Sequence, residues 1–166
     1  MAMTLEGPLA DRNSWRATRC SIGKAMAVVG SRSAMQILRE AYYGTTRFDD
    51  FADRVGITDA VAAARLKSLV GEGILEKQPY QPPGQRTRHE YVLTAKGRDL
   101  LPAVLALQQW GDEYLQDDGG PLDVVDDAGT PVRVEVVGTE RERLELEDLR
   151  VRANPASRPA VPRTEA

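Results

Sequence analysis

Two segments with helical periodicity are separated by only four residues, Val55–Thr58. The first segment begins near Arg47, and from Phe48 onward its apolar residues recur at the i, i+3, i+4 and i+7 spacing of one helix face. The second segment opens at Thr58, a residue type that caps helices well, and runs to about Glu72. A glycine in so short a connection lets two helices cross at a steep angle, so this stretch predicts a helix-turn-helix.

A candidate β-hairpin follows the second of these helices. Ile74–Tyr80 and Arg86–Leu93 have the composition and alternation of strands, and the Pro-Pro-Gly sequence within Gln81–Gln85 predicts the loop between them. A two-stranded hairpin in this place is called a wing. The helix-turn-helix spacing alone is a weak signal, and the wing directly after it makes the combination more specific.

Three further helices complete the predicted fold. One runs from Ser21 to Gly30 and the next from Arg32 to Tyr43, each with its apolar residues on one face. A long helix is predicted from the Thr94 cap to about Gln116, and Pro102 falls near its second or third turn, where it can bend the helix. The predicted fold class is mainly α with a small β wing (α+β), a winged helix-turn-helix.

Composition divides the chain into four parts. Residues 1–13 are predicted to be a flexible leader, 14–117 a winged helix-turn-helix domain for DNA binding and dimerisation, 118–152 a C-terminal β-rich extension, and 153–166 a disordered tail. Within the extension, Leu122–Val125 and Val132–Val136 are predicted to be short strands joined by a turn at Asp126–Gly129. The extension is thus expected to resemble a β-hairpin.

Charge is distributed unevenly along the chain. Residues 1–98 hold fifteen Lys or Arg against ten Asp or Glu, whereas residues 99–166 hold seven against fifteen. A basic front part and an acidic back part are expected when one face of a protein meets phosphate groups and another does not. The acidic stretch from Asp112 to Asp148 could dock a basic partner, although a solvated appendage that its charge keeps away from DNA is the simpler interpretation.

The composition excludes several classes of protein. Cys20 is the single cysteine and His89 the single histidine, so neither an internal disulfide nor a Cys/His zinc site is feasible, and we expect no metal and no cofactor. The chain offers no paired acid and base and no phosphate-binding loop, so we do not expect an enzyme. No apolar run is long enough for a membrane span and no signal peptide is evident, which predicts a cytoplasmic protein.

A helix-turn-helix presents its second helix to the major groove of DNA, and a basic wing suits the narrow minor groove. Small side chains on that helix allow a close approach and contact with thymine methyl groups, while most affinity is expected from phosphate contacts and from the wing. The predicted DNA-binding residues are Arg47, Thr58, Asp59, Ala60, Ala63, Ala64, Arg65, Lys67, Ser68, Arg86 and Arg88.

The long C-terminal helix carries two apolar faces, which is more than its own domain can cover. We therefore predict that this helix binds a second partner besides its own domain, through Leu100, Val104, Leu107, Trp110 and Tyr114. Trp110 and Tyr114 lie one helical turn apart and could line a pocket for a small-molecule effector, although plain packing is the commoner role of such a pair.

The sequence resembles the HxlR-type family of winged-helix regulators, which are relatives of MarR-type repressors. The resemblance covers roughly residues 15–115. It is carried by the segments Cys20–Ile22, Val28–Gly30, Ile37–Glu40, Arg47–Phe51, Arg65–Val70, Gly73–Glu76, Glu90–Gly97 and Trp110–Asp112. The resemblance implies a homodimer built from the first and last helices, in which Ile22 and Met26 join the residues of the long helix in the interface. It also implies that the dimer binds a near-palindromic operator beside the genes that it controls.

The resemblance also concerns Cys20, because some members of the family use a cysteine at the matching position to sense oxidants or electrophiles. A sensor needs a thiolate, and the alternative for Cys20 is a small apolar residue packed at the start of a dimerisation helix. The chain departs from the family at Ser31–Ala34, where an aromatic residue usually follows the glycine. Its extension also lacks the cysteine pairs that some longer members carry.

Two functions remain open from the sequence. The first is a sequence-specific DNA-binding transcriptional regulator, and we expect a repressor rather than an activator. Its partners would be double-stranded DNA and a second copy of the chain. The second is a winged-helix module that binds another protein. The basic wing favours DNA, whereas the alanine-rich recognition helix and the overall charge of −3 leave the alternative open.

Overall fold

A computed structural model describes residues 2–81, 84, 86–140 and 143–154. Within these residues the elements are β1 (Thr4–Leu5), α1 (Ser21–Val29), α2 (Arg32–Tyr42), α3 (Phe48–Val55), α4 (Asp59–Gly71), β2 (Leu75–Tyr80), β3 (Arg88–Leu93), α5 (Ala95–Arg98), α6 (Leu101–Tyr114) and β4 (Arg150–Val151). The chain separates into two units, residues 25–134 and residues 1–24 with 135–166, and each is described by itself. None of the helices in the described ranges is long and apolar enough to cross a membrane.

The core of the larger unit is built around α2. Ile37 and Leu38 on this helix are completely buried, and they pack in one apolar cluster with Phe51 of α3 and with Leu66 and Leu69 of α4. α2 contacts α3, α4, α6 and β3. The helix begins at a side-chain cap, because the hydroxyl of Ser31 accepts a hydrogen bond from the backbone N–H of Ala34 at 3.2 Å. The mainly helical fold with a small antiparallel hairpin is the predicted one.

The wing is an antiparallel pair in which Leu75 lies opposite Leu93 and Tyr80 opposite Arg88. The returning strand begins at Arg88, so Arg86 lies outside it, whereas the alternation predicted a strand from Arg86. The backbone N–H of Tyr91 donates to the carbonyl of Thr46 at 2.8 Å, which ties β3 to the segment before α3. The wing is therefore attached to the helix-turn-helix by backbone hydrogen bonding as well as by packing.

The prediction of one long helix from Thr94 to about Gln116 is wrong. The chain forms a single turn, α5, and then α6, with a break at Asp99–Leu100. Pro102 has no N–H to donate to the carbonyl four residues back, so an uninterrupted helix would lose a hydrogen bond there. Thr94 does act as the expected cap, since its hydroxyl accepts from the N–H of Gly97 at 3.0 Å.

Gly97 fixes how α5 meets the wing. A Cβ at this position would collide with the carbonyl oxygen of Ile74, so the close approach of the two segments requires a glycine. The Tyr42 hydroxyl donates to the carbonyl of Gly97 at 2.7 Å, and burial raises the pKa of Tyr42 above its ordinary value. The hydroxyl therefore stays a proton donor and holds α2 against α5.

The strands predicted at Leu122–Val125 and Val132–Val136 are not formed. Val125 and Pro131 make one isolated antiparallel bridge around a turn at Asp126, and residues 132–136 carry no regular strand. Gln109 of α6 takes the place of a partner strand. Its side-chain amide donates to the carbonyl of Val132 at 2.8 Å and accepts from the N–H of Val134 at 3.0 Å. Alternating valines predicted a strand. The N–H of Val132 does bond across the turn, to the carbonyl of Val124 at 2.9 Å, but α6 supplies the two other hydrogen bonds.

The smaller unit joins the two ends of the described chain. β1 pairs in parallel with β4, Thr4 opposite Arg150 and Leu5 opposite Val151. The sequence predicted no partner for Thr4 and Leu5, which lie within the proposed flexible leader. The boundaries of the predicted domains stay predictions, and the predicted tail lies outside the described residues from residue 155 onward.

Candidate nucleic-acid interface

The turn between α3 and α4 is set by a glycine in the left-handed conformation. Gly56 has φ of 69° and ψ of 42°, and its N–H donates to the carbonyls of Ala52 and Asp53. The N–H of Ile57 also donates a hydrogen bond to the carbonyl of Ala52, at 3.1 Å. A side chain at Gly56 would be strained in this conformation, so the glycine lets α3 end and the chain turn within two residues.

The cap predicted at Thr58 is present. Its hydroxyl accepts from the N–H of Val61 at 3.4 Å, and Asp59 stands in the first turn of α4. An acidic side chain there is favourable for the helix dipole. Asp59 also lies near Asp49 and Asp53 of α3 around a shallow depression. These carboxylates lower the positive potential at the start of α4, so cationic contacts must come from elsewhere.

α4 buries one face and exposes the other. Ala62, Leu66 and Leu69 are buried, as the periodicity predicted. The residues predicted to meet DNA are all exposed on the remaining surface of the helix and its cap, namely Thr58, Asp59, Ala60, Ala63, Ala64, Arg65, Lys67 and Ser68. Several of these exposed side chains are small, so a partner could approach the backbone of α4 closely.

Val61 belongs to this exposed surface and was missed by the sequence analysis. It lies one residue before the buried Ala62, and 39% of its surface is accessible. The helical wheel could have placed it there, because it falls about 100° from the buried stripe. An exposed valine beside alanines adds an apolar group of the kind that contacts thymine methyls.

Arg65 is held by a neighbouring helix. Its Nε donates to the hydroxyl of Ser33 on α2 at 3.1 Å. The side chain therefore bridges the first turn of α2 and the middle of α4, and its guanidinium is displayed where these two helices meet.

The wing carries two exposed arginines. Arg88 is the first residue of β3, opposite Tyr80, and Arg86 lies in the connection that precedes it. Residues 82, 83 and 85 of the loop, including part of the predicted Pro-Pro-Gly turn, lie outside the described residues. The two guanidinium groups are therefore placed near the hairpin tip, the position from which a wing reaches a groove.

Arg47 is not on the exposed surface of α4. Its guanidinium carbon lies 3.1 Å from the centroid of the Tyr80 ring, and its Nη2 lies 3.7 Å from a carboxylate oxygen of Glu90. Both partners belong to the wing. The structure thus places Arg47 between α3 and the wing, apart from the predicted DNA-binding residues of α4.

α6 exposes large apolar side chains. Leu107, Trp110 and Tyr114 are 55%, 56% and 68% exposed, and the two rings lie 5.7 Å apart between centroids. Leu105 is the buried residue of this helix. An unpartnered surface of this kind is typical of an interface.

The other predicted interface residues have different surroundings. Leu100 packs against the core cluster, and Val104 is partly buried. Ile22 and Met26 are exposed on α1. The structure therefore leaves five of the seven predicted residues exposed and places Leu100 and Val104 in packing within the chain.

A groove of about 370 Å³ lies between α2 and α6. It is lined by apolar side chains such as Met35, Leu107 and Leu122, with Arg39 and Asp112 among its polar residues. Trp110 and Tyr114, which were predicted to line an effector pocket, are not among its lining residues. The volume is within the range of small-molecule sites.

Cys20 lies exposed immediately before α1. Its sulfur accepts a weak hydrogen bond from the N–H of Gly23 at 3.4 Å, in the manner of a helix cap. Among the described residues, no three His, Cys, Asp or Glu side chains are grouped as metal ligands would be.

The helix-turn-helix with its hairpin and flanking helices defines a winged helix-turn-helix protein. The model of the HxlR-like helix-turn-helix family matches residues 28–119, and the chain belongs to this family. The family resemblance expected from the sequence is confirmed.

Curated relatives and solved structures agree with the family assignment. An uncharacterized HTH-type transcriptional regulator of Mycobacterium tuberculosis is 45% identical over 101 residues, which cover 61% of this chain and 63% of that protein. The match thus spans less than two thirds of the relative's length.

Among solved structures, the chain is similar to the candidate transcription factor PA1607, with a TM-score of 0.72 and 35% identity, over 81% of this chain and 95% of the other. The redox regulator HypR in its reduced form is similar with a TM-score of 0.53 and 26% identity, over 58% of this chain and 95% of HypR.

Proposed function

We propose that this protein is a sequence-specific DNA-binding transcriptional regulator that acts as a homodimer and represses its target genes. The observation that carries the proposal is the exposed surface of α4, capped at Thr58 and followed directly by a wing with Arg86 and Arg88. Membership of the HxlR-like helix-turn-helix family supports the same conclusion.

The dimensions of α4 fit a major groove. An α-helix with its side chains is about 10–12 Å across, and the major groove of B-DNA is about 12 Å wide. The small side chains of Ala60, Ala63 and Ala64 let the helix lie deep in the groove, where Lys67 and Ser68 can donate hydrogen bonds. Arg86 and Arg88 then reach the neighbouring minor groove, whose negative potential attracts guanidinium groups.

The exposed apolar surface of α6 supports the homodimer. Leu107, Trp110 and Tyr114 would be removed from water by a second copy, whose own α6 presents the same residues across a two-fold axis. Two recognition helices related in this way read half-sites about one helical turn of DNA apart, which is why the operator is proposed to be near-palindromic. Ile22 and Met26 of α1 stay predicted members of the interface.

Two kinds of modulation belong to the proposal. Cys20 is exposed and accessible to oxidants, and the similarity to the redox regulator HypR supports thiol modulation. A peroxide would oxidise the Cys20 thiol to a sulfenic acid and leave as the alcohol or water. A small-molecule effector would bind in the groove between α2 and α6, where it would influence the helix that carries the dimer surface. A regulator of this kind would act in the cytoplasm, together with the DNA that it binds.

The decisive measurement is fluorescence anisotropy of the purified protein with the intergenic DNA upstream of its own gene and with scrambled DNA, each at two salt concentrations. Preference for the native DNA, saturating at one dimer per site, is the expected result. The variant Arg86→Ala/Arg88→Ala should bind more weakly and with a smaller salt dependence.

Equal and weak binding to both DNAs, lost at physiological salt, would overturn a sequence-specific regulator. The winged-helix surface would then have to be tested as a protein-binding module, which the alanine-rich surface of α4 and the carboxylates at the start of α3 would suit. For thiol modulation, Cys20→Ser should retain DNA binding after treatment with hydrogen peroxide, whereas the unchanged protein should lose it.

A further inference from the structure

Arg47 connects the first helix of the helix-turn-helix to the wing. It is the residue immediately before α3, with an extended backbone at φ −90° and ψ 144°, and its side chain does not cap the helix. The side chain instead extends to the hairpin, where it contacts Tyr80 at the end of β2 and Glu90 on β3. One residue therefore bridges α3 and both strands of the wing.

The strand register explains why these two partners are available together. Gln78 lies opposite Glu90 and Tyr80 opposite Arg88, so Tyr80, Glu90 and Arg88 share one face of the hairpin. Tyr80 and Glu90 are diagonal neighbours on that face, a distance that a long side chain can span. A planar guanidinium can stack on the ring with its face and pair with the carboxylate at its edge.

The partial burial of the Arg47 guanidinium favours a role within the protein over a direct contact with DNA. Nη1 of Arg47 is buried and has no hydrogen-bond partner within the described residues, and Nη2 faces Glu90. A phosphate oxygen could not reach Nη1 without opening the packing between α3 and the wing. The Arg47 side chain as a whole is 38% exposed, so it is the buried Nη1 and the ring-stacked face of the guanidinium that are engaged with the wing.

The arrangement also affects Arg88. Arg88 and Glu90 are two residues apart on the same face of β3, so Glu90 could pair with Arg88 if no other cation were near. Instead, the Glu90 carboxylate forms its ion pair with Arg47, whose Nη2 lies 3.7 Å away. Arg88 consequently keeps its charge available at the hairpin tip.

We propose that Arg47 is a positioning residue that locks the wing to the helix-turn-helix through Tyr80 and Glu90 and thereby presents Arg88 to the DNA. The proposal rests on DNA binding as the function of this surface. It replaces the direct contact with DNA that the sequence predicted for Arg47.

The first test uses stability alone and needs no DNA. Tyr80→Leu keeps an apolar side chain and removes the ring, and its effect on the urea midpoint is measured in the unchanged protein and in Arg47→Ala. We expect the shift caused by Tyr80→Leu to fall to less than half in the Arg47→Ala background, because the ring has then already lost its partner. His89→Ala, on the opposite face of β3, should have the same effect in both backgrounds. Equal shifts for Tyr80→Leu in both backgrounds would overturn the lock.

The second test separates positioning from phosphate contact. Arg47→Ala, Arg47→Lys and Glu90→Gln should each weaken binding to the native DNA, by about tenfold for Arg47→Ala, and none of them should lower the slope of log affinity against log salt any further once Arg88→Ala is present. Arg88→Ala by itself should reduce that slope by about one. A further loss of slope caused by Arg47→Ala in the Arg88→Ala background, with full recovery by Arg47→Lys, would show a direct phosphate contact and overturn the proposal.

The two tests also distinguish this proposal from the function on which it rests. If the unchanged protein does not prefer its native DNA, the proposed function fails, while the urea experiment still decides whether Arg47 locks the wing. If the native DNA is preferred and the urea shifts are equal, the function stands and the lock is wrong.

Discussion

α4 and α6 are helices of similar length in the same unit, and they expose different kinds of side chain. α4 buries Ala62, Leu66 and Leu69 and exposes small, polar or basic residues around them. α6 buries Leu105 and exposes Leu107, Trp110 and Tyr114 among other large side chains.

The exposed side chains of a helix decide which kind of partner it can bind. A polyanionic rod is bound through cations and close backbone approach, which small residues permit. A protein partner is bound through large apolar and aromatic groups removed from water. These differences are the reason why α4 is proposed to bind DNA and α6 a second protein chain.

Replacing one leucine by alanine on each helix should give the largest difference in the free energy of unfolding. Leu66→Ala, within the core, should lower the free energy of unfolding by about 2–5 kcal/mol, because it removes buried methyl groups and leaves a cavity. Leu107→Ala, at an exposed position, should cost less than about 0.5 kcal/mol in a dilute sample, where dimers dissociate. Urea unfolding at low protein concentration measures both. Similar losses for the two variants would contradict the burial on which the comparison depends.

A charge placed on α6 should disrupt the homodimer. Trp110→Glu puts a carboxylate at the centre of the proposed interface, and we expect the dimer to dissociate at least about 100-fold more readily, in the range of interface hot spots. Sedimentation equilibrium gives the dissociation constant. The matched variant Lys67→Glu on α4 should leave dimerisation unchanged, and an equal effect of the two substitutions would remove the distinction between the helices.

The two helices also begin differently. α4 starts at the hydroxyl cap of Thr58, whereas α6 has no side-chain cap and carries Pro102 in its first turn. Thr58→Ala should therefore cost about 1 kcal/mol of stability. Leu100→Ser, which offers α6 a hydroxyl but removes a core contact, should not be stabilising. Thermal unfolding of both variants checks this, and an unaffected Thr58→Ala protein would mean that the cap contributes nothing.

The smallest effect is expected from removing one cation from α4. Lys67→Ala should weaken DNA binding about threefold to tenfold and lower the salt slope by about one, if Lys67 meets a phosphate. Arg133→Ala removes a cation from the extension that Gln109 holds against α6, and it should leave the slope unchanged. Anisotropy titrations over a series of salt concentrations measure both slopes, and a loss shared equally by the two variants would point to a nonspecific effect of net charge.

The sequence was sufficient for the parts of the fold that depend on neighbouring residues. The turn at Gly56, the cap at Thr58 and the buried stripe of α4 all follow from residue types at fixed short spacing, and the structure contains each of them. The exposure of the α4 residues predicted to contact DNA follows from the same periodicity. Their contact with DNA stays a prediction.

Local patterns failed where a more distant group competed for the same hydrogen bonds. The valines around Val134 have the alternation of a strand, but the amide of Gln109 satisfies their backbone. The segment after Thr94 has helical periodicity on both sides of Pro102, but the missing N–H and the close contact of Gly97 with the wing break the helix.

What the sequence by itself determined was the order of the elements, the short turn and the residue types on each helix face, because these depend on propensities and spacings within a few residues. The tertiary structure alone decided that Arg47 stacks on Tyr80 and that Thr4 lies beside Arg150. Each of these pairs joins residues far apart in the chain, and which of many possible partners a side chain meets depends on how the whole core packs. The sequence therefore predicted which side chains the surface of α4 exposes, and the structure showed that Arg47 is already engaged within the protein.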